Sequence, residues 1–110
     1  MKLEIEDRND MRIVKISEDR VDAAVAIQFK DSMAEATKDG PDRVVLDMSQ
    51  VKFLDSSGLG AVVATMKLLG NERKLELAGL TPTVEKVFRL TRMDSIFAIH
   101  ESVAAIPEST

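Results

Sequence analysis

The residues best suited to chemistry lie in one short segment, Asp55-Ser56-Ser57-Gly58-Leu59-Gly60. A carboxylate and two hydroxyls there precede an apolar stretch with helical spacing. Asp and Ser cap helices well because their side chains accept hydrogen bonds from the free N–H groups of the first turn. Capping needs only one residue, and it does not explain Gly58 and Gly60, since each glycine costs about 1 kcal/mol in a helix relative to alanine. We interpret both glycines as clearing the first turn, so that a partner's active site approaches the serines closely.

The same segment is suited to carry a phosphate. Helix N–H groups and the helix dipole favour negative charge at this place, so the domain is expected to keep its fold when modified. A phosphate carries about −1.5 to −2 charges at pH 7. Next to Asp55, that charge would change the surface and repel a partner that fits the bare hydroxyl.

Two phosphate-related alternatives fit the chain less well. A dinucleotide-binding fingerprint fails because Val63 stands where Gly58-Leu59-Gly60 would require a third glycine, and no acidic residue clearly ends the next strand. An aspartate phosphorylation site at Asp47 would need further carboxylates to bind Mg²⁺, and only Asp22 and Asp55 are candidates. We therefore predict that Asp47 caps a loop.

A serine hydrolase is also a weak alternative. Such an enzyme needs a base, and His100 is the only histidine, far from Ser57 in the sequence. The chain has no Gly-x-Ser-x-Gly elbow. We predict a surface or capping role for His100 and no catalytic activity.

The composition limits the remaining functions. With 110 residues the chain is expected to form one domain, 1–110, around one core. A net charge of −4, no Trp, no Tyr and only four Phe argue against a nucleic-acid partner. The absence of Cys excludes disulfides and thiolate metal ligands. We predict no metal and no cofactor.

The chain also shows no targeting pattern. Residues 1–7 lack the apolar core of a signal peptide. No apolar run reaches the roughly 20 residues that cross a bilayer. We therefore expect a soluble, cytoplasmic protein with no membrane span.

Hydrophobic spacing predicts the strands that position the serine segment. Alternating Leu3 and Ile5 indicate a first strand, and further strands are predicted at 11–16, 43–48, 74–78 and 96–99. The continuous apolar run at 43–48 is typical of a central strand covered on both faces. Asn9-Asp10 fits a hairpin turn, and 17–21 is interpreted as a loop. The region after the central strand should pack through Val51, Phe53 and Leu54.

The helices are predicted from apolar residues at helical spacing and from residues that typically begin or end helices. Asp22 is predicted to cap a helix that runs to about Thr37. The next helix follows the serine segment and ends at Gly70-Asn71, and Thr81-Pro82 begins a third. Inward-facing residues of the third helix are predicted to be Val84, Val87, Phe88 and Leu90. Residues 101–106 are expected to form a short helix and 107–110 a frayed tail. The order β-β-α-β-α-β-α-β-α predicts an α/β fold with a single mixed sheet of about five strands and about four helices.

Segments 44–49, 53–60 and 84–99 resemble the STAS domains, the anti-sigma factor antagonists of bacteria. The resemblance covers nearly the whole chain and implies partner switching. In that family an unphosphorylated antagonist binds an anti-sigma factor that is also a serine kinase, and so frees the sigma factor. Phosphorylation of the serine directly before Gly-Leu-Gly blocks the binding, and a serine phosphatase restores it.

Carried over to this chain, the resemblance implies Ser57 as the phospho-acceptor and Ser56 as its neighbour. Asp22 matches a polar position that lies close to the phosphorylated loop in the family. Ile27 should point away from the core, either as a scattered exposed apolar residue or as a partner contact. The predicted contact surface comprises Asp22, Ile27, Asp55, Ser56, Ser57, Gly58, Leu59 and Gly60.

Two features leave alternatives open. The loop at 17–21 reads Ser-Glu-Asp-Arg-Val, where many family members carry a Gly-rich segment ending in a Leu-Asp pair. A non-switching STAS scaffold, or a subunit of a lipid-transport or larger signalling complex, would share the fold. In such a protein Ser57 would be a plain helix cap.

Overall fold

A computed structural model describes residues 1–107, and the main sheet in it has five strands. In order across the sheet, they are β1 (Leu3–Arg8), β2 (Met11–Ile16), β4 (Arg43–Asp47), β6 (Lys74–Ala78) and β7 (Ile99–His100). The first two strands pair antiparallel and the other neighbours pair in parallel, so the sheet is mixed, as predicted.

The first hairpin turns at the predicted place. Arg8 pairs with Met11, so Asn9 and Asp10 form a two-residue loop. Asn9 adopts a left-handed backbone conformation with φ of 53°. Such two-residue turns require positive φ, and Asn tolerates it better than most residues.

A second, smaller sheet was not predicted. It pairs two short parallel strands, β3 (Arg20–Val21) and β5 (Phe53–Leu54). The loop prediction for 17–21 is therefore wrong at its last two residues. Phe53 was expected to pack inside, yet it is 42% exposed, because Leu54 takes the inward position of this strand.

Three α-helices pack on one face of the main sheet, and the core lies between them. Phe29 and Met33 of the first helix and Phe88 of the third are fully buried there. The opposite face carries a smaller cluster that includes Val45 and is covered by Ile106. The central strand is thus apolar on both faces, as its continuous run predicted. The helices are α1 (Ala26–Thr37), α2 (Ser56–Leu69) and α3 (Pro82–Leu90).

The start of α1 differs from the prediction. The helix begins at Ala26, with Val25 rather than Asp22 at its N-cap. Asp22 instead forms a turn before the helix, in which its carboxylate accepts the N–H of Ala24 at 3.1 Å and its carbonyl accepts the N–H of Val25. Asp side chains favour such local turns over regular helix.

The C-terminal third also differs in detail. Leu90 was expected to face inward but is 71% exposed, because it lies about 200° around the helix from the buried Phe88. The strand predicted at 96–99 is shorter and begins only at Ile99, because a 3₁₀ turn occupies Met93–Ser95 before it.

The predicted fourth helix is reduced to a 3₁₀ turn. Of the expected helix at 101–106, only Val103–Ala105 is helical, and the hydroxyl of Ser102 caps this turn by accepting the N–H of Ala105. Residues 108–110 of the expected frayed tail lie outside the described residues.

Candidate functional site

Asp55 is the residue that organises the serine segment. Its Oδ1 accepts the N–H of Gly58 at 2.8 Å and so caps α2. Its Oδ2 accepts the N–H of Ala23, in the turn before α1, at 3.1 Å. These bonds, the one from Gly58 first, hold the pKa of the Asp55 carboxyl below its ordinary value. One carboxylate thus joins the first turn of α2 to the turn that contains Asp22.

Ser56 and Ser57 are the first two residues of α2, and both are exposed. Asp55 provides the cap, so capping requires neither hydroxyl. Backbone N–H groups of a first helical turn lack partners within the helix and create a positive potential. Two accessible hydroxyls therefore lie where an added negative charge is favoured.

The two glycines serve different purposes. A Cβ atom at Gly58 would lie 2.0 Å from the carbonyl oxygen of Val21 and 2.8 Å from Cδ1 of Leu54. Gly58 is buried, and its missing side chain lets α2 pack directly on β3. The interpretation that it gives a partner access is therefore wrong. Gly60 is exposed, and a Cβ there would meet nothing within 4 Å, so the surface at Gly60 is open.

Asp22 lies at the edge of the same surface. Its side chain is 20% exposed, and the Nε of Arg20 is 3.6 Å from its Oδ2. The guanidinium of Arg20 also lies over the ring of Phe53, 5.2 Å from the centroid. Sequence reasoning missed this contact, because the pairing of β3 with β5 that creates it involves only two residues per strand.

Ile27 is exposed on the first turn of α1, with 70% of its surface accessible. It does point away from the core, as predicted. Helix α1 packs against α2, so Ile27 belongs to the helix that neighbours the serines. Leu59, in contrast, is buried under the segment and joins the core.

An open groove extends from Ser56 along α2. It has a volume of about 430 Å³, and Met93 lines it from outside the helix. Its floor is formed by small and apolar side chains, and Lys67 lies at its far end. The residues of α2 that line it are Ser56, Leu59, Gly60, Val63, Ala64 and Lys67.

Two other candidate residues have structural roles. The Oδ1 of Asp47 accepts the N–H of Ser49 at 2.9 Å, which confirms the predicted loop cap. The Nε2 of His100 lies 2.8 Å from Oε1 of the buried Glu76, so His100 is a hydrogen-bond partner of Glu76 rather than a plain surface or capping residue. Within residues 1–107, no group of three metal-ligating side chains is close enough to hold an ion.

Glu76 is held between two basic side chains. Arg43 binds its carboxylate through Nε at 2.5 Å and through a second nitrogen at 3.1 Å. Burial opposes ionisation, but the hydrogen bonds from Arg43 and His100 prevail and lower the pKa of Glu76 below its ordinary value. This network crosses β4, β6 and β7 on the sheet face opposite the helices and is remote in sequence from the serines.

The described part of the chain contains no helix that is long and apolar enough to cross a membrane. The fold is thus a small α/β domain whose serine segment sits on a helix start fixed by Asp55. Residues 2–106 match the model of the STAS domain. The chain belongs to the STAS domain family.

Named relatives and solved structures extend this assignment. BtrV of Bordetella bronchiseptica, whose name describes it as a candidate anti-sigma factor antagonist, is 32% identical over 103 residues, or 93% of this chain and 88% of BtrV. The crystal structure of an anti-sigma factor antagonist from Mycobacterium paratuberculosis superposes with a TM-score of 0.83 at 26% identity, covering 94% of this chain and 87% of that one. The Bacillus cell fate determinant SpoIIAA in its phosphorylated form shares the fold, with a TM-score of 0.67 at 18% identity over 94% of each chain.

Proposed function

We propose that this protein is an anti-sigma factor antagonist whose binding is switched off by phosphorylation of Ser57. The observation that carries the proposal is that the helix cap and the exposed hydroxyl at the start of α2 belong to different residues. Asp55 caps the helix, so the exposed Ser57 hydroxyl is left for a partner or a kinase. The 32% identity to BtrV supports an antagonist role, and the fold shared with phosphorylated SpoIIAA supports a modifiable domain.

The proposed contact surface surrounds Ser57. Ser56 and Gly60 are exposed beside it, Asp22 lies at its edge, and Ile27 adds an apolar group on α1. Asp55, Gly58 and Leu59 act beneath this surface, because they fix the backbone on which the serines stand. The partner is an anti-sigma factor that is also a serine kinase, and a serine phosphatase reverses the modification. All of these proteins act in the cytoplasm.

Charge explains how the modification would end binding. The bare surface already carries the carboxylate of Asp55, two residues before Ser57, and that of Asp22, in the turn that Asp55 binds. A phosphate adds about two negative charges at this place. A partner that fits the neutral hydroxyl then meets a bulky, solvated dianion, and burying it without a matched cation is costly.

The first experiment maps the modification and measures binding. Protein purified from its native cells is analysed for phosphoserine by mass spectrometry, and its co-purifying partners are identified. Binding of the partner is then measured for the wild type, for Ser57→Asp and for the matched control Ser56→Asp. We expect phosphate on Ser57 and a loss of affinity of 100-fold or more, roughly, for Ser57→Asp, on the scale of a misplaced interfacial charge. The control should lose much less.

Two results would contradict the proposal. An unmodified Ser57 across growth conditions, together with partners that are indifferent to Ser57→Asp, would leave a non-switching STAS scaffold. Equal losses for Ser56→Asp and Ser57→Asp would mean that added charge, and not the identity of the acceptor, controls the partner.

A further inference from the structure

Arg20 is the one basic side chain that the described contacts place beside Asp22 at the site. It projects from β3 directly opposite Phe53, and its guanidinium lies 5.2 Å from the centroid of that ring. Its Nε is 3.6 Å from Oδ2 of Asp22, and its side chain is 60% exposed. Exposed cation–π and ion-pair contacts of this kind are weak, so Arg20 can leave these two partners for a stronger one at little cost.

The backbone brings Arg20 close to Ser57. The carbonyl of Val21, the next residue after Arg20, packs directly against Gly58, the next residue after Ser57. Standard bond dimensions across this contact place the Cα atoms of Arg20 and Ser57 within roughly 14 Å of each other. An extended arginine, a phosphoserine and one hydrogen bond between them can span that distance.

We propose that Arg20 is the internal receptor of the phosphate on Ser57. This inference rests on the proposed function, since it assumes that Ser57 is the modified residue. A phosphate dianion offers Arg20 more charge and more acceptor oxygens than the single carboxylate of Asp22. Arg20 therefore leaves the ring of Phe53 and binds the phosphate. Phosphorylation then changes the surface in two places, because it adds charge at Ser57 and uncovers the face of Phe53.

Lys52 provides a matched control. It is exposed and basic, and it directly precedes Phe53 in the sequence, just outside the two paired residues of β5. Its backbone N–H is bonded to the carbonyl of Asp19, next to Arg20. A general effect of positive charge in this region would appear for both residues, whereas direct binding of the phosphate would appear for Arg20 alone.

The test uses full-length protein in which phosphoserine is installed at position 57 during translation, so no kinase is required. The second ionisation of the phosphate is followed by ³¹P NMR in the otherwise unchanged protein, in Arg20→Gln and in Lys52→Gln. A bound guanidinium stabilises the dianion, so we expect Arg20→Gln to raise this pKa by about 0.2 to 0.7 pH unit, the range that corresponds to an exposed ion pair. Lys52→Gln should shift it by less than half as much. The ring resonances of Phe53 should move on phosphorylation when Arg20 is present and stay nearly constant in Arg20→Gln.

An unchanged phosphate pKa in Arg20→Gln would overturn the inference, and so would equal shifts in the two variants. Because the phosphoserine is installed during translation and no kinase is needed, either result leaves the proposed switch at Ser57 untouched. Conversely, absence of phosphoserine in native cells would refute the switch without affecting the NMR comparison.

Discussion

Gly58 and Gly60 provide a sharp test of how α2 is seated, because the same substitution should act on them with opposite sign. In Gly58→Ala the new methyl would lie 2.0 Å from the carbonyl oxygen of Val21, which is backbone and cannot rotate away. Relief requires α2 and β3 to separate by about 1 Å, and overpacking of this kind costs about 1–3 kcal/mol. In Gly60→Ala the methyl meets open space, so the helix gains about 0.5–1 kcal/mol from the better helix former.

Thermal unfolding followed by circular dichroism measures both effects. For a domain of this size about 1 kcal/mol corresponds to roughly 4 °C or more in Tm. We expect Gly58→Ala to lower Tm by about 4–12 °C and Gly60→Ala to raise it by about 2–4 °C. Equal Tm values for Gly58→Ala and the wild type would mean that α2 does not rest on β3 as described. In that case the contact between Gly58 and Val21 would not hold the serine segment in place.

Three further predictions concern groups that hold the fold. The pKa of Asp55 is lowered in the folded state, so its ionised form contributes stability that is lost as the pH falls through the folded pKa. Urea unfolding at about pH 7 and pH 3 should therefore show that the stability of Asp55→Asn depends less on pH than that of the wild type. Glu76→Ala should cost about 2–4 kcal/mol in denaturant unfolding, because it leaves Arg43 on β4 and His100 on β7 without the carboxylate that both contact. Arg73→Ala should cost about 1–2 kcal/mol, because the Arg73 side chain donates to the backbone carbonyls of Thr37, at the end of α1, and of Pro41. Arg89→Ala should cost less than about 0.5 kcal/mol, because Arg89 only forms an exposed ion pair within α3. A loss in Arg89→Ala as large as that in Arg73→Ala would contradict this distinction.

Long patterns in the sequence predicted the main sheet and the helices well. The run 43–48, the helical stripe after Gly60 and the Thr81-Pro82 start all mark elements that bury many apolar groups, and hydrophobic periodicity reports such burial directly. The order of these elements then required a mixed sheet. Local signals also sufficed for the hairpin at Asn9, where the turn residue itself dictates the geometry.

Short elements were not predictable in the same way. β3 and β5 contain two residues each, too few to show a period, and their pairing depends on a contact across more than thirty positions of the sequence. The consequences of that pairing were hidden with it. They include the burial of Gly58 against Val21, the contact of Arg20 with Phe53 and the use of Asp22 in a turn instead of a cap.

The rigidity of the site determines how a phosphate would act there. Both oxygens of Asp55 bind backbone N–H groups, one in α2 and one in the turn before α1, and Gly58 rests on the backbone of Val21. Moving the first turn of α2 would break all of these contacts at once. The exposed side chains above it, in contrast, are held only weakly. We therefore expect phosphorylation of Ser57 to leave the backbone in place and to rearrange charge and side chains on its surface. Backbone amide shifts outside residues 20–25 and 53–60 that change on phosphorylation as much as those within them would refute this view.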